Sequence, residues 1–434
     1  MGYLLNVVYL ALVVVVSPCL VWSAWRKGKY REGWRQKAFG LAPLRRGNRP
    51  CLWLHAVSVG EVNLLTPLLE RLERRYPDWE IVISTTTRTG FELAKKKYSP
   101  RTVFYCPLDF TWAVKSALGR IRPNVLVLAE LELWPNLITT AKRRGVKIAV
   151  INGRLSDKSS RGYRRIRPLV SRLLKNINLL AVQNDDYAQG FIELGAHPET
   201  VITTGSIKFD GVETDRNNSR TRTLANLAGI ESNDIVFLAG STQAPEEQLA
   251  LSTFLQLRDE WPQLRLILAP RHPERFEETA RLLDASGVAW RRRSTLRSSN
   301  AKGERVLLVD AMGELGAWWG LAHIAYVGGS MGNRGGQNMI EPAAYGAAVS
   351  FGPRTHNFRE IVAAMLSANA ACVVHSGEEL TAFVRRCLQD PKFATELGRN
   401  ARSLVSCQQG AADRTVELLT QLIETQVPAQ RRAA

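Results

Sequence analysis

From about residue 50 onward, short apolar runs rich in Val, Ile and Leu alternate with longer amphipathic stretches of helical length. The runs predict strands at Leu52–Leu54, Ile81–Ser84, Val125–Leu128, Val146–Ile151, Leu179–Val182 and Val201–Thr204 in the first half. In the second half they fall at Ile235–Ala239, Leu264–Ala269, Arg305–Val309, Ile324–Val327, Ala348–Phe351 and Ala371–Val374. The runs are continuous rather than alternating, so each strand is covered on both faces, as in parallel sheets flanked by helices. Two doubly wound α/β domains follow. The polar stretch Glu213–Thr223 lacks apolar periodicity and sets a linker at 213–224, between domains of 50–212 and 225–425 and before a polar tail at 426–434. A length of 434 residues agrees with two cores.

The N-terminus breaks this pattern. Gly2 to Trp25 carries no charged side chain, and as a helix it would be long enough to cross a hydrocarbon core of about 30 Å with some tilt. A cleaved signal peptide fits less well, because the basic residues follow the apolar run rather than precede it. The expectation is an uncleaved membrane-anchor helix at 1–25 and a basic juxtamembrane segment at 26–49. By the positive-inside rule, the rest of the chain then lies on the cytoplasmic side of the inner membrane.

Charge sharpens the picture. The 58 Lys+Arg against 40 Asp+Glu leave +18, which calls for an anionic partner: nucleic acid, an anionic membrane surface or a phosphorylated substrate. Nine basic residues and one acid lie between Arg26 and Arg49, and seven and one between Leu155 and Lys175. Neither cluster resembles a nucleic-acid module, so no nucleic acid is expected. The cysteines are scattered without CxxC pairs and read as reduced core thiols.

Several motifs sit where strands end. In His55-Ala56-Val57-Ser58-Val59-Gly60-Glu61, a strand gives way to a helix, and Glu61 fits either a general base or a carboxylate favouring the positive helix end. Glu130-Leu131-Glu132-Leu133-Trp134-Pro135-Asn136 follows an apolar strand. Its two carboxylates would point the same way if the strand continued, and functional use stands beside a solvated turn. Lys208, in Thr204-Gly205-Ser206-Ile207-Lys208-Phe209-Asp210, is either a surface lysine or a partner for a phosphate or carboxylate. In the second half the candidates are Pro270-Arg271-His272-Pro273, Met312-Gly313-Glu314-Leu315 and the glycine-rich Gly328 to Pro342. That last segment reads as a turn presenting backbone N–H groups and a helix start near Asn338 to a phosphate, with Glu341 placed for ribose hydroxyls. It matches neither GxGxxG nor a P-loop, and the sequence holds no Asp-x-Asp pair and no His-rich ligand set.

Taken in order, HAVSVGE, ELELWPN, GSIKFD, PRHPERF, MGEL and VGGSMGNRGGQNMIEP resemble the Kdo (3-deoxy-D-manno-octulosonic acid) transferase family of bacterial lipid A synthesis, from the N-terminus to about residue 360. The resemblance implies a GT-B fold with two Rossmann-like domains facing a cleft, the first for acceptor and the second for CMP-sugar. It also implies inverting, metal-independent transfer of Kdo from CMP-Kdo to a phosphorylated lipid A precursor, without a cofactor. By position, Glu61 matches the family's base, and Glu130 and Lys208 its transition-state-stabilising residues. Pro270, Arg271, Met312, Gly313, Glu314, Asn338, Met339, Ile340 and Glu341 fall on its CMP-binding positions. The chain departs from the family where STHEGEE becomes Ser241-Thr242-Gln243-Ala244-Pro245-Glu246-Glu247, GGHN becomes Gly335-Gly336-Gln337-Asn338 and NPLE becomes Asn338-Met339-Ile340-Glu341. The rival readings are a membrane-associated GT-B enzyme using another nucleotide sugar and a non-catalytic protein binding anionic lipid.

Overall fold

The computed structural model describes residues 2–27, 32–296 and 304–424, with the side chains of 18–21, 23–27, 157 and 158 outside the description. The chain divides into two compact units, Met1–Gly211 with Gln409–Ala434 and Val212–Gln408. Parallel seven-stranded sheets form the centre of both.

In the first unit the strands are β1 (Cys51–His55), β2 (Glu80–Thr85), β3 (Val103–Tyr105), β4 (Val125–Ala129), β5 (Lys147–Gly153), β6 (Leu179–Val182) and β7 (Val201–Thr203), ordered 3-2-1-4-5-6-7. β1 and β4 are buried at every position, as expected of central strands covered by helices on both faces. One layer packs Trp53, Phe104, Leu126 and Phe191; the other packs Leu54, Val62, Leu65, Leu68 and Ile151.

The second unit holds β8 (Ile235–Thr242), β9 (Leu264–Pro270), β10 (Trp290–Arg292), β11 (Val306–Leu308), β12 (Ile324–Val327), β13 (Ala348–Phe351) and β14 (Ala371–Val373), ordered 10-11-9-8-12-13-14. Strand order reverses at β1/β4 in the first sheet and at β8/β12 in the second. Chains leaving the carboxyl ends of those strand pairs diverge and open a crevice, the place where such sheets bind ligands.

Two boundaries differ from the sequence expectation. The expected linker at 213–224 is helical from Ser219, because Asn218 caps the helix Ser219–Ala228 by accepting from Thr221 N at 2.9 Å and Leu224 is buried. The second domain, expected to run to 425, stops at Gln408, and the helix Ala411–Glu424 returns to the first unit. Asp210 fixes that return by accepting from Gly410 N at 2.5 Å and Ala412 N at 2.7 Å, while Val416, Leu419 and Ile423 join the first unit's core. The tail expected at 426–434 lies outside the described residues.

The N-terminal helix Gly2–Lys27 packs with its polar side inward. Asn6 exchanges hydrogen bonds with Thr111, and the Tyr9 hydroxyl donates to Asp109 Oδ2 at 3.2 Å. Leu4, Val7, Val8, Leu10 and Leu12 to Val16 face outward. The anchor expected at 1–25 and the basic segment at 26–49 lie partly outside the described side chains. Among the described residues, no helix is long and apolar enough to cross a membrane.

Candidate active site

Glu61 stands in the first turn of the helix Val59–Arg75, just beyond the end of β1 and therefore at the first unit's switch point. Ser58 is the N-cap, and the two residues bind each other reciprocally. The Ser58 hydroxyl accepts from Glu61 N at 3.4 Å and donates to Glu61 Oε1 at 2.8 Å, while Oε2 accepts from Val57 N at 2.8 Å. This is a capping-box arrangement, worth about 1 kcal/mol to the helix. Capping does not exclude base chemistry, since each carboxylate oxygen accepts one bond and keeps a second lone pair. Glu61 is only 8% exposed, and burial raises its pKa above the usual glutamate value against the opposing effect of the Val57 and Ser58 bonds.

Glu130 follows β4, the strand beside β1. The strand does not continue: Glu130 has φ 57°, a left-handed conformation that costs a non-glycine residue about 1–3 kcal/mol, held by its own N–H to Ile151 O at 2.9 Å. The two carboxylates of ELELWPN therefore do not have the shared direction that a continuing strand would have given them. Glu130 turns to Arg154 Nε at 3.0 Å and Lys208 Nζ at 3.4 Å. Glu132 lies in the field of Glu61, and burial first, then that negative charge, pushes its pKa up to about 7. Lys208 is positioned by Asn152 at the end of β5, whose Oδ1 accepts from Ile207 N at 3.0 Å. The first unit thus gathers Glu61, Glu130, Glu132 and Lys208 on the carboxyl ends of its strands.

In the second unit, Pro270 closes β9 and Arg271 follows, its N–H donating to Thr242 O at 3.0 Å. Arg271 Nε is buried with no hydrogen-bond partner among the described residues, a polar atom available to meet a ligand. Burial raises the Glu341 pKa, opposed by the Asn338 amide, which donates to Oε1 at 3.0 Å, and by the Arg271 charge. A side chain at Gly316 would begin 3.9 Å from Glu341 Oε2, so the turn after Met312 and Gly313 reaches the same place. Glu314 instead binds Arg293 through both oxygens at 2.8 Å. Met312 is exposed, whereas Met339 and Ile340 are buried.

The glycine-rich segment departs from its sequence reading. Its N–H groups at Gly329, Ser330 and Met331 donate at 2.7–2.9 Å to the carboxylate of Glu246, which also accepts from Gln243 N and the Tyr326 hydroxyl. They are therefore engaged with a buried internal anion and not presented to a phosphate. Gly328 is required beside it: a Cβ there would lie 2.5 Å from Thr242 Cα and 2.7 Å from Glu246 Oε2. The helix expected near Asn338 is the five-residue Ile340–Ala344, a single turn whose dipole is small. Glu247 meanwhile pairs with Arg275 at 3.0 Å and steadies the loop after Arg271. Glu246 and Glu247 were visible only as part of a variant motif, because glutamates at a helix start ordinarily signal nothing beyond a favourable dipole.

The family described as 3-deoxy-D-manno-octulosonic-acid transferase (kdotransferase) matches residues 32–211. A 3-deoxy-D-manno-octulosonic acid transferase of Haemophilus influenzae is 32% identical over 88% of this chain and 90% of its own length. The transferase of the same name from Bordetella pertussis is 30% identical over 92% of this chain and 95% of its own. Among solved structures, the Neisseria meningitidis UDP-GlcNAc 2-epimerase bound to UDP-GlcNAc superposes with a TM-score of 0.58 and 14% identity, over 86% of this chain and all of that one. That likeness concerns the fold of paired parallel-sheet units alone.

Proposed function

This chain belongs to the 3-deoxy-D-manno-octulosonic acid transferase family and is a glycosyltransferase, and on that premise we propose that it transfers Kdo from CMP-Kdo to a phosphorylated lipid A precursor with inversion, at the inner membrane surface. The observation that supports the reading is that Glu61, Glu130 and Lys208, which the resemblance matches to the family's base and transition-state-stabilising residues, all lie at the carboxyl ends of the first unit's strands, with Lys208 Nζ 3.4 Å from Glu130 Oε1.

In the proposed displacement, an acceptor hydroxyl attacks the anomeric carbon of Kdo while Glu61 removes its proton. Burial raises the basicity of that carboxylate, which suits it to the task. Lys208, held by Glu130, supplies positive charge where negative charge develops. CMP departs as a phosphate monoester whose charge Arg271 meets through its unpartnered Nε, and Glu341 accepts from ribose hydroxyls.

Membrane attachment is part of the proposal. The outward apolar row from Leu4 to Val16 supports it, as do exposed Trp34, Phe39 and Leu44 in a segment dense in Arg and Lys, and exposed Trp112, whose indole donates to Ala38 O in that segment. Exposed apolar side chains followed in sequence by a basic segment suit anionic lipid headgroups. The catalytic units then lie on the cytoplasmic side.

The test supplies the protein in lipid vesicles with a phosphorylated acylated disaccharide and either freshly generated CMP-Kdo or UDP-sugars. Transfer from CMP-Kdo that falls with added salt supports the reading. Transfer only from a UDP-sugar, or turnover indifferent to salt, contradicts the donor or the membrane assignment respectively.

A further inference from the structure

Beyond Arg271 and Glu341, the second unit has a second electropositive feature that the nucleotide reading leaves unused. The loop after β13 folds against the glycine-rich loop after β12, next to the switch-point strand β8. Hydrogen bonds clasp the two loops, among them Gly352 N to Ser330 Oγ at 2.8 Å, Arg354 N to Ser330 O at 2.9 Å, Asn357 N to Gly335 O at 3.0 Å and Asn357 Nδ2 to Arg334 O at 2.7 Å. Gly335 makes the approach feasible. It has φ 92°, and a Cβ there would lie 2.5 Å from His356 Nε2.

Between the loops lies a cavity of about 310 Å³ lined by Asn333, Pro353, Arg354, Thr355, His356 and Arg359. It has room for about ten waters, at the lower end of the size of small-molecule sites. Its lining includes two guanidinium groups and an imidazole but no carboxylate. Elsewhere in this unit arginines find acids: Arg265 with Asp234, Arg275 with Glu247, Arg292 with Glu277, Arg293 with Glu314 and Arg385 with Glu260. Among the described residues neither Arg354 nor Arg359 pairs with a carboxylate. Arg354 Nη1 is instead oriented by Asn333 Oδ1 at 2.9 Å, and the exposed guanidinium makes no other side-chain hydrogen bond among the described residues. Cations gathered without a counter-charge repel one another, and an arriving anion relieves that repulsion.

We propose that this cavity is an anion subsite taking a carboxylate or phosphate carried by a substrate, with Arg354 and Arg359 as its charged contacts. The inference rests on the glycosyl-transfer reading above, in which two such anions exist: the carboxylate of the donor's ulosonic sugar and a phosphate of the acceptor. Guanidinium groups bind both through paired N–H donors, and Thr355 and Asn333 add neutral partners.

The experiment uses the full chain in vesicles, with Arg354→Ala/Arg359→Ala and Arg354→Lys/Arg359→Lys variants. CMP affinity is measured by titration calorimetry, and KM separately for CMP-Kdo and for acceptors with and without phosphate. The subsite predicts CMP affinity and melting temperature unchanged, with KM for one substrate raised about tenfold or more in the alanine variant and partly restored in the lysine variant. A rise for CMP-Kdo assigns the donor carboxylate. A rise for the phosphorylated acceptor, absent for the dephosphorylated one, assigns the phosphate. Both KM values within about twofold of wild type, or CMP affinity and melting temperature falling together, would overturn the proposal. Direct binding of free Kdo or inorganic phosphate, present in wild type and lost in the alanine variant, decides the matter even if transfer from CMP-Kdo is never observed, so the subsite and the transfer reading fail separately.

Discussion

Lys208 Nζ lies 3.4 Å from Glu130 Oε1, while Arg154 Nε donates to the other oxygen of Glu130 at 3.0 Å. One carboxylate thus holds two cations of the first unit in fixed positions. The pair is partly open to solvent, so its contribution to stability is small, about 0–1 kcal/mol. Its value lies in aiming a positive charge.

Lys208→Ala should therefore lower the transfer rate about 100-fold, the scale of losing one electrostatic stabiliser, with little change in melting temperature. Lys208→Arg should recover part of the rate. Single-turnover transfer and thermal melting of the same samples check both statements.

Glu132 makes stability depend on pH. The folded chain keeps its proton to about 7, while an ordinary glutamate releases it near 4.5, so the folded state binds more protons in that window. Its contribution is most favourable below the lower value and declines as pH rises through the higher one. Glu132→Gln should remove this decline and raise the melting temperature above pH 7 relative to wild type. Melting curves from pH 4 to about 9 test the sign.

Glu246 predicts a change confined to the second unit. Its carboxylate is 1% exposed and accepts four backbone N–H groups and a tyrosine hydroxyl. Glu246→Ala orphans them, and each buried unsatisfied group costs about 1–3 kcal/mol. CMP affinity should fall at least tenfold and the melting temperature should drop, whereas the milder Glu246→Gln, which keeps one acceptor oxygen, should lie between. Calorimetric CMP titration of the three proteins gives the order.

Asp210 ends a motif read for its lysine, yet it binds the start of the helix Ala411–Glu424. Asp210→Ala should cost about 1–2 kcal/mol, the scale of a lost helix cap. Removing 409–434 should cost more, because Leu419 and Ile423 leave the core. Chemical denaturation of both variants measures the two costs.

Most strands were legible because apolar runs such as Val125–Leu128 and Ile324–Val327 admit few other conformations. β3 and β10 were not: each has three residues at a sheet edge, and Trp290-Arg291-Arg292 carries too few apolar positions to register. The return of the C-terminal helix was also hidden, since Asp210 and Ala412 are far apart in sequence and nothing local marks their pairing. Glu61 was legible both as a cap and as a candidate base, and its hydrogen bonds give the capping half a geometry. Glu246 was opaque because its partners, Gly329 to Met331, lie more than eighty residues away.

The central claim is that Glu61 is the base of a Kdo transfer. Product mass after incubation of the full chain in lipid vesicles with a phosphorylated lipid A precursor and fresh CMP-Kdo, alongside Glu61→Ala, tests it most directly. Wild type should add one or more Kdo units, and the variant should lose about 100-fold or more of that activity with its fold retained. No mass gain from wild type, or equal gain from both proteins, would contradict it.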